Sequence, residues 1–556
     1  MNKFKSSILF VLILTLSSLW AQDEINHNVV VMKSYSPVIG DANKLSEVPQ
    51  IVDTNEVNID IKYRIQSIPF YPKFTPQPIQ PIKMIGEPLS KLYHNYVLLG
   101  FGNYTKPMFE YRYATTRSKE LLAGVNLTHL SQHGNLKLDN VDDKVYSGYS
   151  RNSANIFLHR IFKHSALETD LTYRRHALHY YGYNASIDTV MEKEDNKQMF
   201  SWMNATMRYK TTRLDSSRIN YDVVMDYNYF EDYYETFQND FTLAGDFSLF
   251  FNKELIALKA KYQHFNILTP SYLYSNSIYQ FQPSISKSNS HWGINAGLNI
   301  VVDASNDTSA FHFYPQIDLH YAVIDYFLVP YLGISGGVKS NNYKAIALEN
   351  QFIRPGLHTR NSNTLIDLHG GIRGNFTDNL SYNIFGNYRV IDDAYFFVND
   401  SLNPIENQFI VEYDDIIRYD IKAQISYLRS KKLQFSLLGQ YHGFELDEIE
   451  HAWHVPDYEV RFSTNYNLKS KILVDFDMFV KGQRYAKTYY SEGVYTGAQG
   501  VKIAETFDIS LGLEYRYTKM LSAFLRFNNI LAHRNYDWNY YPTEGFNMAF
   551  GIIYSF

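Results

Sequence analysis

The chain of 556 residues has no cysteine. That excludes disulfides, thiolate metal sites and the cysteine-linked lipid anchor of a lipoprotein. Beyond the N-terminus no apolar run reaches the ~18 residues that a membrane-spanning helix needs. Basic residues form no dense block and the formal net charge is only −5, so nucleic acid is excluded as a partner. Catalytic signatures are missing too. There is no Gly-x-Ser-x-Gly, and no set of Ser, His and acid can be assembled from the order of residues. GFGNYT (100–105) lacks the third Gly and the following helix of a phosphate-binding turn, and reads as the end of a hairpin. No enzymatic activity and no cofactor are expected.

What is present begins with an export signal. MNKFKSSILFVLILTLSSLWAQ has a basic start (Lys3, Lys5), an apolar run from Ile8 to Leu16, and small or polar residues up to Ala21. Residues 1–21 are read as a signal peptide cleaved after Ala21. The apolar content that follows is mostly aromatic: Tyr 48 and Phe 37, against Trp 5. Aromatic side chains favour pleated, half-buried surfaces, and they form the girdles of outer-membrane barrels. A mean hydropathy of −0.31 fits a wall that alternates polar and apolar residues.

Alternation recurs along the chain. In FDISLGLEYRYT (507–518), Phe507, Ile509, Leu511, Leu513, Tyr515 and Tyr517 oppose Asp508, Ser510, Gly512, Glu514, Arg516 and Thr518. In a strand these sets face opposite ways. INYDVVMDYNYF (219–230), LQFSLLGQYHGF (433–444) and ILVDFDMFVKG (472–482) repeat the pattern, and no continuous helical period appears after residue 92.

Connection lengths decide what the apolar faces touch. TRSKE (116–120), FKHSA (162–166), FNKE (251–254), SKSNS (286–290), TDN (377–379), RSKK (429–432), LKSK (468–471) and YTKM (517–520) are tight and polar. Segments 131–152, 182–197, 340–363, 399–408, 445–459 and 489–505 are long and irregular. Short turns alternating with long loops characterise outer-membrane barrels, whereas soluble sandwiches have no reason to segregate loop length. The fold expected is all-β: a transmembrane antiparallel β-barrel of about 22 strands over residues 93–556, with apolar faces to lipid and many strands longer than the ~9–11 residues that span a bilayer.

The chain ends GFNMAFGIIYSF. Gly551, Tyr554 and the terminal Phe556 resemble the signal read by the outer-membrane insertion machinery, with Ala549 where that signal usually carries a polar residue. Asn529-Ile530-Leu531, Tyr536, Tyr541-Pro542, Gly545 and Phe556 together resemble the closing hairpin of TonB-dependent receptors. The resemblance implies an outer-membrane location and transport or binding of a solute. It fails at the N-terminus, where residues 22–92 are too short for a plug domain of ~100 residues or more. The stretch 67–88 carries Pro69, Pro72, Pro76, Pro78, Pro81 and Pro88, and is expected to be extended or irregular. Val29-Val30-Val31, Lys33-Ser34-Tyr35-Ser36-Pro37 and Asp41-Ala42-Asn43-Lys44 resemble the start of Bacteroidota-type outer-membrane barrels that are grouped with these receptors but lack a recognisable plug. Residues 22–92 then form a periplasmic or luminal segment. Val29, Val30, Val31 and Met32 are either a TonB-box-like segment that pairs with TonB, or a tether against the barrel rim.

Candidate chemistry is sparse. HGFELDEIEHAWHVPDYE (442–459) gathers His442, Glu445, Asp447, Glu448, Glu450, His451, His454, Asp457 and Glu459, yet shows no fixed ligand spacing. A solvated loop is expected there and no metal site is assigned. YYSEGVY (489–495) and NYDWNYY (535–541) are aromatic loop tips suited to sugar stacking or to interfacial anchoring. Two functions fit. One is transport or binding of a solute, either energised through TonB or passive. The other is a structural scaffold that holds lipoprotein or periplasmic partners. For transport, the Pro-rich stretch is expected to narrow the lumen, so deleting residues 23–88 should raise conductance.

Overall fold

The computed structural model describes residues 91–556, apart from 140–143, 185–192, 194–195, 214, 307, 431 and 492–493. The signal peptide, the segment Val29–Met32 and the Pro-rich stretch 67–88 lie outside the described residues.

Twenty-two strands, from Asn95–Gly102 to Asn547–Ser555, form one sheet in which each pairs antiparallel with its neighbours in the chain. The last strand pairs with the first, from Tyr96 opposite Ser555 to Gly102 opposite Ala549, which closes the barrel. Backbone bonds between Asn95 and Phe556, at 2.9 and 3.0 Å, fasten the chain end to the strand start. Closure removes the free edges that a hydrocarbon environment would leave unsatisfied.

Opposite faces meet opposite media. On the strand Asn220–Asp232, Met225 and Tyr227 are exposed on the outer face, while Asn220, Asn228, Phe230 and Asp232 are buried inside. The outer face of the wall carries exposed Ile156, Met203, Leu243, Leu298, Phe313 and Ile421, an apolar surface that only lipid can cover. In the strand Thr506–Arg516, Ser510 lines a luminal cavity while Leu513 and Tyr515 line an outer groove with Leu99 and Ile552. The side-chain alternation read from 507–518 holds as far as Arg516, where the strand ends and the turn 517–520 begins.

At the closing seam two glycines lie opposite each other, Gly100 and Gly551. A Cβ on Gly551 would stand 2.1 Å from the Leu99 carbonyl oxygen and 2.7 Å from the Phe524 ring. Phe524 therefore covers both glycines from the luminal side, with Leu98 and Ile553 beside it. Tyr554 and Phe556 point outward and their rings lie 5.3 Å apart.

Wall height varies. The strands flanking the seam have 8 or 9 residues, whereas Leu380–Asn399 and Phe409–Arg429 have 20 and 21. The tall strands project well past a bilayer core. All eight turns read as tight fall at one end, together with the start of the first strand and the end of the last. All six long loops fall at the other. The loop end also has short connections, 103–105, 233–236, 269–272 and 306–308, which loop length alone does not assign to an end. By the rule of short periplasmic turns, the long loops are extracellular.

Candidate functional site

The loop end is the elaborate part of the molecule, and its centre is the connection 340–361. This segment contains a short helix, Tyr343–Glu349, which the sequence analysis does not anticipate. Seven residues are too few for a helix that is stable alone. Asn342 caps it, its side chain accepting from the Ala345 N–H at 2.9 Å. Packing supplies the rest: Tyr343, Ile346 and Ala347 are all fully buried.

The helix is fastened to the luminal wall by wall side chains. The Tyr343 hydroxyl donates to Asp232 at 2.6 Å, the Asn342 amide to Asp240 at 3.3 Å, and the Lys344 backbone N–H to Gln238 at 2.9 Å. The Lys344 ammonium reaches Asn228. Burial lowers the pKa of Lys344, while the nearby carboxylates Asp240 and Asp226 oppose that shift. Beyond the helix, Ile353 bridges to Phe409: the Phe409 N–H donates to Phe352 at 3.0 Å and the Arg354 N–H to Phe409 at 2.8 Å. Arg354 pairs with Asp400 at 3.1 Å.

Other loops complete the packing. The Tyr180 hydroxyl donates to the Ile353 carbonyl at 2.9 Å and the Tyr181 hydroxyl to the Pro542 carbonyl at 2.9 Å. Tyr541 stacks on Phe352 with centroids 3.7 Å apart and donates to the Asn407 carbonyl. Glu406, buried among 400–408, accepts from the Tyr489 N–H at 2.7 Å and the Tyr540 hydroxyl at 3.2 Å. Burial raises its pKa.

The result is one continuous apolar cluster that includes Leu178, Phe200, Phe230, Phe265, Ile346, Phe352, Phe409 and Tyr541. Leu178 belongs to the fifth wall strand, Ser165–His179, and Phe409 to the sixteenth, Phe409–Arg429. They stand half-way round a ring of 22 from each other. The cluster, here termed the seal, therefore crosses the bore from wall to wall at the loop end. Each large side chain buried in it contributes about 1.5–3 kcal/mol, so the seal is a packed element of the fold.

Two cavities flank the hairpin formed by Tyr536–Trp538 and Tyr541–Pro542. The inner one, about 590 Å³, is lined by luminal wall residues such as Lys106, Arg461, Asp477 and Asp508, with Tyr149 and Phe352 above. The outer one, about 380 Å³, is lined wholly by loop residues, among them Tyr183, Tyr536 and Tyr540. The hairpin partitions them.

The cluster expected at 442–459 disperses. His442 lies on a wall strand and joins Asp420, Arg389 and Arg418 in a buried luminal ion network. His451 stacks on Tyr485 with centroids 4.1 Å apart. His454 is buried, its Nδ1 2.9 Å from the Phe397 carbonyl and its Nε2 accepting from the Asn539 N–H at 3.3 Å. Burial lowers the pKa of His454 to about 3, helped by the Arg484 guanidinium. The backbone N–H groups of Asp447 and Glu448 both donate to Asp414 at 3.0 Å. The solvated loop expected here holds for its acids, since Glu445, Asp447, Glu448, Glu450 and Asp457 are exposed, whereas Trp453 and His454 are buried against the wall. The reading of 535–541 as a sugar-stacking tip or interfacial anchor also needs revision, because Trp538 and Tyr541 belong to the seal. Tyr495, in contrast, stays 61% exposed. Among the described residues no group of three or more His, Asp or Glu side chains is placed to hold a metal ion.

The sequence reading missed this helix, although the sequence held a signal for it. In NNYKAIALE an Asn cap precedes Tyr343, Ile346 and Ala347, whose spacing of three and four residues puts them on one helical face.

A closed barrel with a lipid-facing apolar wall and a polar lumen defines the chain as an outer-membrane β-barrel. Its barrel has the fold of TonB-dependent receptors. The FrpB iron transporter from Neisseria meningitidis (F3-3 variant) matches with a TM-score of 0.64 at 11% identity, over 84% of this chain and 82% of its own. The ferric enterobactin receptor PfeA from Pseudomonas aeruginosa, in complex with enterobactin, matches with 0.61 at 11% identity, over 84% and 82%. The copper transporter OprC matches with 0.60 at 10% identity, over 84% and 81%. At these identities the likeness is one of fold. No protein-family model and no curated protein sequence matches the chain.

Proposed function

We propose that this barrel moves a solute across the outer membrane and that its own extracellular loops are the gate. The observation that carries this reading is the apolar seal laid across a polar lumen. A barrel of 22 strands is too wide for wall side chains to fill, so an open one would leak. A seal above a hydrogen-bonding chamber suits controlled passage. It adds nothing to a scaffold that binds partners from the periplasm. The fold shared with an iron transporter, a copper transporter and a ferric enterobactin receptor supports transport over catalysis.

Further parts of the proposal rest on sequence resemblance. Residues 22–92 form a periplasmic or luminal segment in place of a plug domain, as in Bacteroidota-type barrels of the receptor-like group. Val29–Met32 pairs with TonB as an added strand. Gly551, Tyr554 and Phe556 direct insertion.

The chain has no cysteine, which makes a direct test available. Ile353 and Phe409 are bridged neighbours across the seal. Cells carrying Ile353→Cys and Phe409→Cys are compared with wild-type and deletion cells for solutes depleted from a rich medium. The wild type should deplete at least one solute that the deletion strain leaves. Oxidising the cysteine pair should stop that depletion, and a reductant should restore it. Identical depletion by wild-type and deletion cells would overturn the transport reading and favour the scaffold.

A further inference from the structure

One wall strand leaves its neighbour part-way up the barrel, and we infer that its free half is the moving arm of the gate, with one position inside the lumen and another in the wall. This deepens the transport reading, on which it rests, by assigning the part that moves when the seal opens.

The strand Ser309–Tyr321 pairs along its whole length with the strand before it, Trp292–Ser305. With the strand after it, Val329–Lys339, it pairs over four residues, from Ile317 opposite Ile334 to His320 opposite Tyr331. Towards the loop end, residues 309–316 have no register partner on that side among the described residues. Pro315 stands at the parting. It has no N–H to donate, and proline in a sheet belongs where pairing ends.

The departing half lies on the luminal side of the wall it has left. The Asn299 amide donates to the Gly336 carbonyl at 2.8 Å, and Val338 packs against buried Ile278, Val301 and Tyr314. Side chains alternate along a strand, so Gly336 and Val338 share a face with Leu332, which is exposed on the outer wall. The face that would meet lipid is thus laid on the lining of the lumen. Gly336 makes room for this: a Cβ there would stand 2.5 Å from the Tyr314 ring and 2.9 Å from the Thr364 and Leu365 carbonyl oxygens.

The tucked half leads directly into the seal. It stays paired with the next strand, Ser362–Thr377, as far as Lys339 opposite Ser362, with a bulge between Ser335 and Gly337. The Lys339 ammonium donates to the Tyr395 hydroxyl at 3.5 Å, and Tyr395 donates to Glu349 on the seal helix. Three residues beyond Lys339, Asn342 caps that helix and holds Asp240. The wall meanwhile keeps a vacant place. Phe311 and Phe313 are exposed on the outer face beside the unpaired edge, and hydrocarbon offers such an edge no partner. Continuing the existing register would fill it, with Gln316 opposite Ser335 and Phe313 opposite Val338. Seating the arm in the wall exchanges the packing on Val301 and Tyr314 for ladder hydrogen bonds, and pulls Asn342 away from Asp240. Opening the mouth and completing the wall are then one movement.

Cysteine pairs read the two positions directly, because the chain has no cysteine of its own. Val301→Cys with Val338→Cys joins the arm in its tucked place. Phe313→Cys with Val338→Cys bridges only when the arm is in the wall, since Phe313 is 62% exposed outside and Val338 packs inside. In barrels that show heat-modifiable migration, the first pair should oxidise almost completely. The second should bridge slowly. Its rate should rise about tenfold when Gly336→Val crowds Tyr314, when Asn299→Ala removes the bond to Gly336, and when Phe409→Ala loosens the seal. Absence of the 313–338 bridge in all these backgrounds, or a rate that none of them changes, would overturn the swing. Solute depletion by cells separates this inference from the gate itself. Oxidising 301–338 should stop depletion, as should oxidising Ile353→Cys with Phe409→Cys. If only the second pair stops it, the arm does not move and the gate stands. If neither does, the gate reading falls and the swing falls with it.

Discussion

The two ends of this barrel solve the same problem, joining antiparallel strands, in opposite ways. At the turn end, connections such as 252–253, 289–291 and 378–379 reverse the chain with polar, exposed residues, and local bonds are enough. Asn289, for example, accepts from the N–H groups of His291 and Trp292 at 2.8 Å. At the loop end, connections several times longer fold back over the bore and bury Tyr343, Ile346, Ile353 and Tyr541. A turn has only to satisfy backbone geometry. The loops have also built an apolar core across the bore. The difference places the packed, elaborated structure at one end of the molecule.

Substitutions should reproduce that difference in size. Phe409→Ala and Tyr541→Ala remove fully buried rings from the seal, a change that costs about 3–5 kcal/mol in a packed core. Trypsin should then cut at Lys344 and Arg354, sites the packed seal protects in the wild type. Unchanged resistance would mean that the seal does not depend on these rings.

The wall comes next. An arginine on the lipid face costs about 2–4 kcal/mol near the bilayer midplane. Leu511→Arg and Leu513→Arg should reduce the heat-modifiable, assembled fraction strongly, and Ser510→Arg, facing the luminal cavity, only slightly. Equal losses at odd and even positions would contradict the assignment of faces.

A smaller effect is tied to pH. His454 has its pKa lowered to about 3 in the folded loop, against ~6.5 for a free imidazole. The unfolded loop therefore binds more protons between those values. The packing of 447–457 is fully stabilised above about pH 6.5 and weakens as pH falls towards 3. Hydrogen exchange of peptides covering 447–457 and 535–541, corrected for intrinsic rate, should be faster at pH ~5 than at ~7.5. His454→Asn should flatten that dependence. At the turn end the expected change is smallest: Lys253→Ala, on an exposed turn, should alter stability by no more than about 0.5 kcal/mol.

How much of this was legible in the sequence follows from the same contrast. The wall was readable because lipid and water impose a period of two on every strand, and residues 507–518 show it without interruption. The strand number followed from turns such as FNKE and LKSK, whose chemistry is local. The seal was not readable, because it joins segments far apart in the chain: Tyr180 to Ile353, Tyr541 to Asn407, Glu406 to Tyr489. Residues 442–459 show the limit best. Their acids and imidazoles suggested a solvated loop, yet His442 faces Asp420 inside the wall and His454 holds the Phe397 carbonyl. Loop polarity predicted exposure correctly for the acids Glu445, Asp447, Glu448, Glu450 and Asp457, and tertiary packing overrode it at the imidazoles His442 and His454.

The central claim is that the loops close the mouth, and planar-bilayer conductance tests it most directly. Residues 341–359 are replaced by a short Gly-Ser linker, alone and together with deletion of residues 23–88. Because the seal lies across the bore, removing 23–88 alone should leave conductance low, and removing 341–359 should raise it in barrels that still show heat-modifiable migration. The double deletion should give the largest openings. A chain lacking 341–359 that conducts no better than the wild type, while loss of 23–88 alone opens the pore, would contradict the account and place the gate in the N-terminal segment.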